Sequence, residues 1–594
     1  MKGWTTTQNF IANGKIPVSS PSGFTVRTEG YYNQGDGGGS HWAYTGNTIT
    51  PSQSPSDLGE PRLSNNQGYE FILVSSSFDV KEVGAVGDGI TDDTLPLQAA
   101  VRGKSPHSQG GVFFLRSRVI MDTSGTELSG AFEILADTTS FDRTDGVFDS
   151  IDGTVLLVSA SDVTLRGATI RPDSTTNDRI TTTPLAVRDA DRVKIIDCTI
   201  FNFAKSIGLR VDSSVNSEFR DNKIHDFFTD DVISGGQLTG ISMDDNRVGA
   251  EPSFGCIVSG NRIYNINVGA NFEALYGYQT DGINIQHPTS SSHSVTDNII
   301  TNVGEGIDCF GQACNISQNV LNNCLSAGVK IVNGGSYNII ANNVVKSPRS
   351  YGVGVFGSQT VGLPAEGNLF ASNLVYDVNP NNDSLTTSYG VGTEDNSGAS
   401  LPSGNTFVNN QVYDSPNANF AINAGSSVDT NIFTDTRVRG TFASGEVNDV
   451  SDSFISTADK AYTSVSPNAQ VIPNGVATVV EFANVITDSQ GEFNAGSYEY
   501  VSKTKRRVVV TARLRHGADN VNSKYDLVIR VNGSELVRFQ KSTSSTGDFS
   551  IQTSEPLNLN EGDSVSVVLT QNTGGNITLT SAAEFSKLVI AEVV

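Results

Sequence analysis

The sequence predicts an all-β chain: a parallel β-helix over residues 76–455, preceded by a segment over 1–75 and followed by an antiparallel, jelly-roll-like β-sandwich over 456–594. Three observations carry this reading. A glycine-led strand pattern recurs at a near-constant interval through the middle of the chain. An asparagine turn trails each copy. The repeat stops near residue 455, where separated apolar strands with polar turns take over.

The strand pattern reads Leu209-Arg210-Val211, Ile283-Asn284-Ile285, Ile307-Asp308-Cys309, Val329-Lys330-Ile331 and Val353-Gly354-Val355, preceded by Gly208, Gly282, Gly306, Gly328 and Gly352. Apolar residues alternate with unrestricted ones, the period of a strand with one buried face. The centres at 284, 308, 330 and 354 lie 24, 22 and 24 residues apart, and Val187-Arg188 extends the series upstream. One repeat is therefore one rung of a solenoid. The turn element reads Asp221-Asn222, Gly260-Asn261, Asp297-Asn298, Gln318-Asn319, Asn342-Asn343 and Ser372-Asn373, each followed closely by a β-branched residue or Leu. Asparagines stacked at a turn can bond from rung to rung while the apolar residue fills the core.

Composition narrows the function. Lys+Arg number 39 against 63 Asp+Glu, a net charge of −24, so phosphate backbones are repelled and nucleic acid is not an expected partner. Apolar stretches such as Phe71-Ile72-Leu73-Val74 and Val155-Leu156-Leu157-Val158 fall far short of the ~20 residues a bilayer needs, which argues against membrane insertion. Met1-Lys2-Gly3-Trp4 opens no apolar signal segment. Five single cysteines, Cys198, Cys256, Cys309, Cys314 and Cys324, form no CxxC pair and read as packed thiols, not a disulfide frame or a zinc site. No cofactor is expected.

Upstream of the repeat, Phe78-Asp79-Val80 through Gly87-Asp88-Gly89 to Asp92-Asp93-Thr94 leads into Leu95-Pro96-Leu97-Gln98-Ala99-Ala100-Val101. Asp92 or Asp93 can cap a short helix there, with Pro96 tolerated in its first turn. This stretch closely resembles the opening of the pectate-lyase-like right-handed β-helix superfamily, found in viral tailspikes and polysaccharide-degrading enzymes, where it caps the open end of the helix. Ahead of it, Thr28-Glu29-Gly30-Tyr31-Tyr32 and Gly35-Asp36-Gly37-Gly38-Gly39-Ser40-His41-Trp42 resemble a segment that precedes the helix in many phage tail proteins. The glycine cluster reads as a tight loop, since no GK[ST] follows to cradle phosphate.

Beyond residue 455 strands are expected at Val476–Phe482, Arg507–Leu514, Tyr525–Val531, Asp563–Leu569 and Lys587–Val594. Val479 through Asp488 to Phe493-Asn494 resembles jelly-roll modules of the C1q/TNF type, which implies a homotrimer. Lys505-Arg506-Arg507 replaces the proline-glycine turn of those modules.

Stacked rungs align side chains in columns about 4.8 Å apart, projecting to solvent from the residues between the apolar pair and before the glycine. The first column is expected to run Arg188, Arg210, Asn284, Asp308, Lys330, Gly354, and the second Asp281, Glu305, Ala327, Tyr351, with Asp231 as an earlier member. Two carboxylates roughly 5 to 9.5 Å apart can share glycosidase roles, and stacked like charges retain a proton near neutrality. Asp308, Glu305 and Asp281 supply that option as catalytic candidates; Lys330 can orient a carboxylate, bind an acidic sugar or act as a base. The competing reading is a surface ion pair worth roughly 0 to 1 kcal/mol. Asn284, Arg210 and Asp231 are candidates for substrate contact. Tyr276 and Tyr278, with Phe272, sit on an insertion suited to sugar stacking or to packing on the helix. His287 follows the Asn284 rung as a base or a bonded turn residue. Asp230-Asp231 with Asp244-Asp245 read as turn aspartates in preference to a calcium site, so no metal is expected.

Taken with the family resemblance, the chain looks like a bacteriophage tailspike of the virion tail. That resemblance implies binding and depolymerisation of a capsular or O-antigen polysaccharide. Hydrolysis by paired carboxylates is favoured. The alternatives are a lyase using Lys330 or His287 on a uronate, and a glycan-binding spike without turnover.

Overall fold

A computed structural model describes residues 2–592 except 18–19, 104, 142–152, 175–181, 205, 231–237, 244–250, 271–272, 274–279, 358–362, 384–387, 395–399, 425–430, 440–441, 450–453, 458–461, 489–490, 504, 520–522, 543–546 and 580–585. Two compact units result: 1–403 with 413–426 and 440–448, and 404–412 with 427–439 and 449–594.

In the first unit the repeat becomes parallel strands stacked rung upon rung, and the chain carries a right-handed parallel β-helix. One sheet of twelve strands includes, in order, Leu185–Arg188, Ile207–Asp212, Leu238–Met243, Thr280–Ile285, Glu305–Cys309, Ala327–Ile331, Tyr351–Phe356, Tyr389–Glu394 and Phe420–Ala424. Leu238–Met243 is a rung missed in the sequence repeat. Gly240-Ile241-Ser242-Met243 has the right pattern, but long insertions on both sides break the interval. The other strands of each rung, such as Ser294–Thr296 and Ile299–Val303, pair in parallel with their neighbours above and below. The core between the sheets is filled by Leu209, Ile241, Ile283, Ile307, Val329 and Val353, each at most 1% exposed.

The expected asparagine stack runs unbroken through Asn222, Asn261, Asn298, Asn319, Asn343 and Asn373. Each backbone N–H donates to the next Oδ1 at 3.0 Å, and the side-chain amides of the first five also donate along the stack. The residue before each asparagine, from Asp221 (φ 57°) to Ser372 (φ 55°), takes the left-handed conformation that makes the corner.

The helix Thr94–Val101 forms as expected, with Pro96 in its first turn. The two aspartates divide the work. Asp92 accepts from Thr94 N at 3.0 Å, while Asp93 turns inward to accept from Val86 N and Gly87 N at 2.7 and 3.0 Å. Burial pushes the Asp93 carboxyl up to about 6. Residues 1–75, read only as a segment, hold a five-stranded sheet. Its glycine loop is tight because Asp36 accepts from Tyr31, Tyr32, Asn33 and Gly38 N–H groups at 2.7–2.9 Å.

In the second unit two antiparallel sheets form a sandwich. One contains Phe482–Asp488, Tyr462–Pro467, Lys587–Glu592, Arg506–Asp519 and Gly547–Leu559; the other includes Ser564–Asn572, Lys524–Val531 and Ser534–Ser542. Val508, Val510 and Leu514 of one meet Leu527, Ile529, Val567 and Leu569 of the other in a single core. The expected strand at 476–482 shortens to Thr478–Val479, and Ser534–Ser542 and Gly547–Leu559 were not anticipated. Ser534–Ser542 is an edge strand with almost every residue exposed, so it lacks the apolar alternation that reveals buried strands. All five cysteines are buried free thiols. No helix among the described residues is long and apolar enough to cross a membrane.

Candidate active site

Strand register brings five of the candidates together. Asp281 pairs with Glu305, Asn284 with Asp308, and Asp308 with Lys330. A regular strand sends positions three apart to opposite faces, yet Asn284 Nδ2 donates to Asp281 Oδ2 at 2.6 Å. The strand turns at the intervening glycine. A Cβ on Gly282 would lie 2.6 Å from both Gly306 O and Ile300 Cγ2, pointing into the core where no side chain fits. The glycine of each rung thus places both columns on one side.

The columns differ from expectation in three respects. Arg188 pairs with Asp212, and it is Ala186 that stands under Arg210, because the strand Leu185–Arg188 is offset by two residues from the assumed alignment. The position assigned to Asp231 is held by Thr239, which pairs with Asp281; Asp231 itself lies outside the described residues. Most importantly, these columns do not project to solvent: Asp281 is 1%, Asp308 3% and Glu305 6% exposed. Sequence alternation reports which side faces the core, but not that the outer side is covered as well.

One oxygen from each of Asp281, Glu305 and Asp308 lies within 4.8 Å of the others, a grouping able to hold a cation. Lys330 supplies positive charge to it, with Nζ 3.0 and 3.1 Å from the two Glu305 oxygens and 3.8 Å from Asp308 Oδ2. Three carboxylates against one ammonium leave a surplus of negative charge. Burial pushes the Asp308 carboxyl up, Lys330 pulls it down and Glu305 pushes it up again, to about 7. Asp281 rises well above the usual carboxylate range through burial, then through the Glu305 and Asp308 charges. Burial works against the Lys330 ammonium, but Asp308 and Glu305 outweigh it and raise the lysine above its ordinary value, which does not favour the option of Lys330 as a base. The buried oxygens Asp308 Oδ1 and Asn284 Oδ1 have no hydrogen-bond partner among the described residues.

The remaining candidates lie elsewhere. Arg210 is buried three rungs from Asp308 in the same column and donates from Nε to Asp212 Oδ2 at 2.9 Å. His287 is a half-buried turn residue whose Nδ1 accepts from Thr289 N at 3.2 Å and lies 2.8 Å from its hydroxyl. Tyr276, Tyr278, Phe272, Asp244 and Asp245 fall outside the described residues. On the following rungs, where the expected columns reach Gly354 and Tyr351, the structure gathers a larger aromatic group whose other members the sequence reading did not name. Val332, Phe356 and Tyr389 form its buried part, with Phe310, Tyr351 and Phe420 packed against them. Its signal was available in Tyr351-Gly352-Val353-Gly354 and its repeat Tyr389-Gly390-Val391-Gly392.

The fold and site define a right-handed parallel β-helix with a buried acid–ammonium cluster on its twelve-stranded sheet. Residues 185–373 match the family model described as right handed beta helix region. The sequence matches no curated protein. Among solved structures, the A-module of the Azotobacter vinelandii mannuronan C-5 epimerase AlgE4 is 15% identical with a TM-score of 0.47, covering 64% of this chain and 99% of its own. The Dettilon tailspike protein is 11% identical with a TM-score of 0.45, covering 85% and 95% respectively. The tailspike protein of Acinetobacter baumannii phage AM24 is 12% identical with a TM-score of 0.44, covering 99% and 94%.

Proposed function

We propose that this protein is a tailspike-like depolymerase that binds a bacterial capsular or O-antigen polysaccharide and hydrolyses its glycosidic bonds. The observation that carries the reading is the buried cluster of Asp281, Glu305 and Asp308 around Lys330. A carboxyl raised to about 7 keeps its proton near neutrality, and the buried Asp308 Oδ1 has no hydrogen-bond partner among the described residues. Asp308 is therefore the general acid that protonates the leaving oxygen. Glu305, ion-paired with Lys330, is the carboxylate that attacks or stabilises the sugar cation. The same cluster disfavours a lyase: a uronate carboxylate would meet an acidic cluster whose only nearby ammonium among the described residues is already bonded to Glu305, and Lys330 is a poor base. The sequence resemblance of residues 28–42 to a segment of phage tail proteins supports a place on the virion tail, and that of residues 479–494 to jelly-roll modules supports a homotrimer.

The test is reducing-end release from a panel of capsular and O-antigen polysaccharides by wild type and Asp308→Asn, with ultraviolet absorbance followed in parallel. Release without new absorbance, reduced about 10²–10⁴-fold in the variant, is expected. Absorbance from an unsaturated uronate indicates a lyase, and glycan binding without release by the wild type indicates a non-catalytic spike.

A further inference from the structure

The two columns do not end at Lys330. In the same register, Lys330 pairs with Gly354 and Gly354 with Gly392, while Ala327 pairs with Tyr351, Tyr351 with Tyr389 and Tyr389 with Phe420. The polar side chains of one column thus give way to glycine where the other column becomes aromatic.

The glycines make room for the rings. A Cβ on Gly354 would stand 3.0 Å from Tyr389 Oη and 3.2 Å from Phe356 Cε2. Tyr351 contacts Phe356 edge to face at 5.0 Å between centroids and Tyr389 at 4.8 Å. Phe356 and Tyr389 are almost wholly buried and serve as packing. Phe310, Tyr351 and Phe420 at the edge of the group are only half-buried, and the Tyr351 phenol feels the charges of Lys330 and Glu305. Glu394, paired with Phe356, adds a carboxylate near the Tyr351 and Tyr389 phenols; burial and then its charge raise both phenols above their ordinary value.

We propose that Phe310 and Tyr351, with Glu394 beside them, form a binding subsite for a pyranose ring bearing no carboxylate, continuous with the acidic cluster along the helix axis. This deepens, and rests on, the polysaccharide reading above. An aromatic surface with a few polar groups at its margin suits a sugar, which presents apolar C–H faces and hydroxyls at its rim. Charge selects the class. The Lys330 ammonium is taken up by Glu305, and Asp308 and Glu394 add further acidic groups, so a uronate carboxylate finds no free countercharge here, while neutral hexose or N-acetylhexosamine rings are accepted.

The experiment is glycan-array binding, using neutral and uronate-containing bacterial polysaccharides, by the full chain carrying Asp308→Asn, alone and combined with Tyr351→Ala, Phe310→Ala or Tyr351→Phe. Binding confined to glycans with neutral segments, reduced about tenfold or more by each alanine and retained by Tyr351→Phe, is the expected result. Thermal melting checks each fold; if Tyr351→Ala does not fold, Phe310→Ala carries the test. Undiminished binding by folded alanine variants overturns the subsite, yet leaves hydrolysis standing if Asp308→Asn is inactive. Preference for polyuronates overturns the assigned sugar class. Absence of both binding and cleavage across the panel overturns this inference together with the function it rests on.

Discussion

Two buried polar columns run through the same rungs of the β-helix, and they are built on opposite terms. In the asparagine column every member from Asn222 to Asn343 donates and accepts along the stack, the residues are at most 1% exposed, and no net charge is enclosed. In the acidic column three carboxylates share one ammonium, two oxygens are left over, and two carboxyls are driven far from their ordinary pKa. A buried polar group with its partners holds a fold; one without them is held by the fold. The first column explains why the rungs stack in register, and the second is a burden that the stacked rungs can carry.

That contrast is broken most severely by Asp308→Asn. It is expected to lower glycan cleavage about 10²–10⁴-fold while leaving the melting temperature unchanged or raised, since it removes a buried charge. Matched activity and calorimetric measurements check both halves. Asn298→Ala should do the reverse. Asn261 N–H and Nδ2 lose their acceptor and Val258 O its donor, for a loss of about 3 kcal/mol in unfolding free energy with little change in kcat of the folded enzyme. Denaturant unfolding and kinetics on the same preparation would separate the columns.

Smaller effects sharpen the comparison. Lys330 lowers the Asp308 pKa, so Lys330→Met should move the alkaline limb of the pH–rate profile upward by about one unit; a downward move would contradict the assigned acid. Stability should also depend on pH. With Asp281 and Asp308 raised in the folded state, the native protein holds more protons than the unfolded chain between about pH 4 and 7. Stability therefore declines as pH rises through that window, with the melting temperature lower at pH 8 than at pH 5 by about 2 °C or more relative to the double variant Asp281→Asn/Asp308→Asn. Asn298→Ala should leave this pH dependence unchanged.

Much of this was legible in residue order. The helix at 94–101 followed from local helix-start signals, and the six asparagines of the ladder and the juxtaposition of Asp281, Glu305, Asp308 and Lys330 follow from a fixed repeat, because a solenoid converts sequence interval directly into spatial neighbourhood. The reading failed where the interval failed. Insertions around Leu238–Met243 hid a rung and put Asp231 where Thr239 stands, and the two-residue offset at Leu185–Arg188 exchanged Arg188 for Ala186.

By itself, then, the sequence determined the solenoid, its corners and which charged residues share a face, since these depend on local period and on turn conformations that few residues tolerate. Only the tertiary structure decided that this face is buried, that the chain turns at Gly282 to bring Asn284 onto Asp281, and that rings from two rungs fold over Gly354. Those outcomes depend on what packs against the outer side of each strand and on the volume left by a missing Cβ, and a one-dimensional pattern records neither.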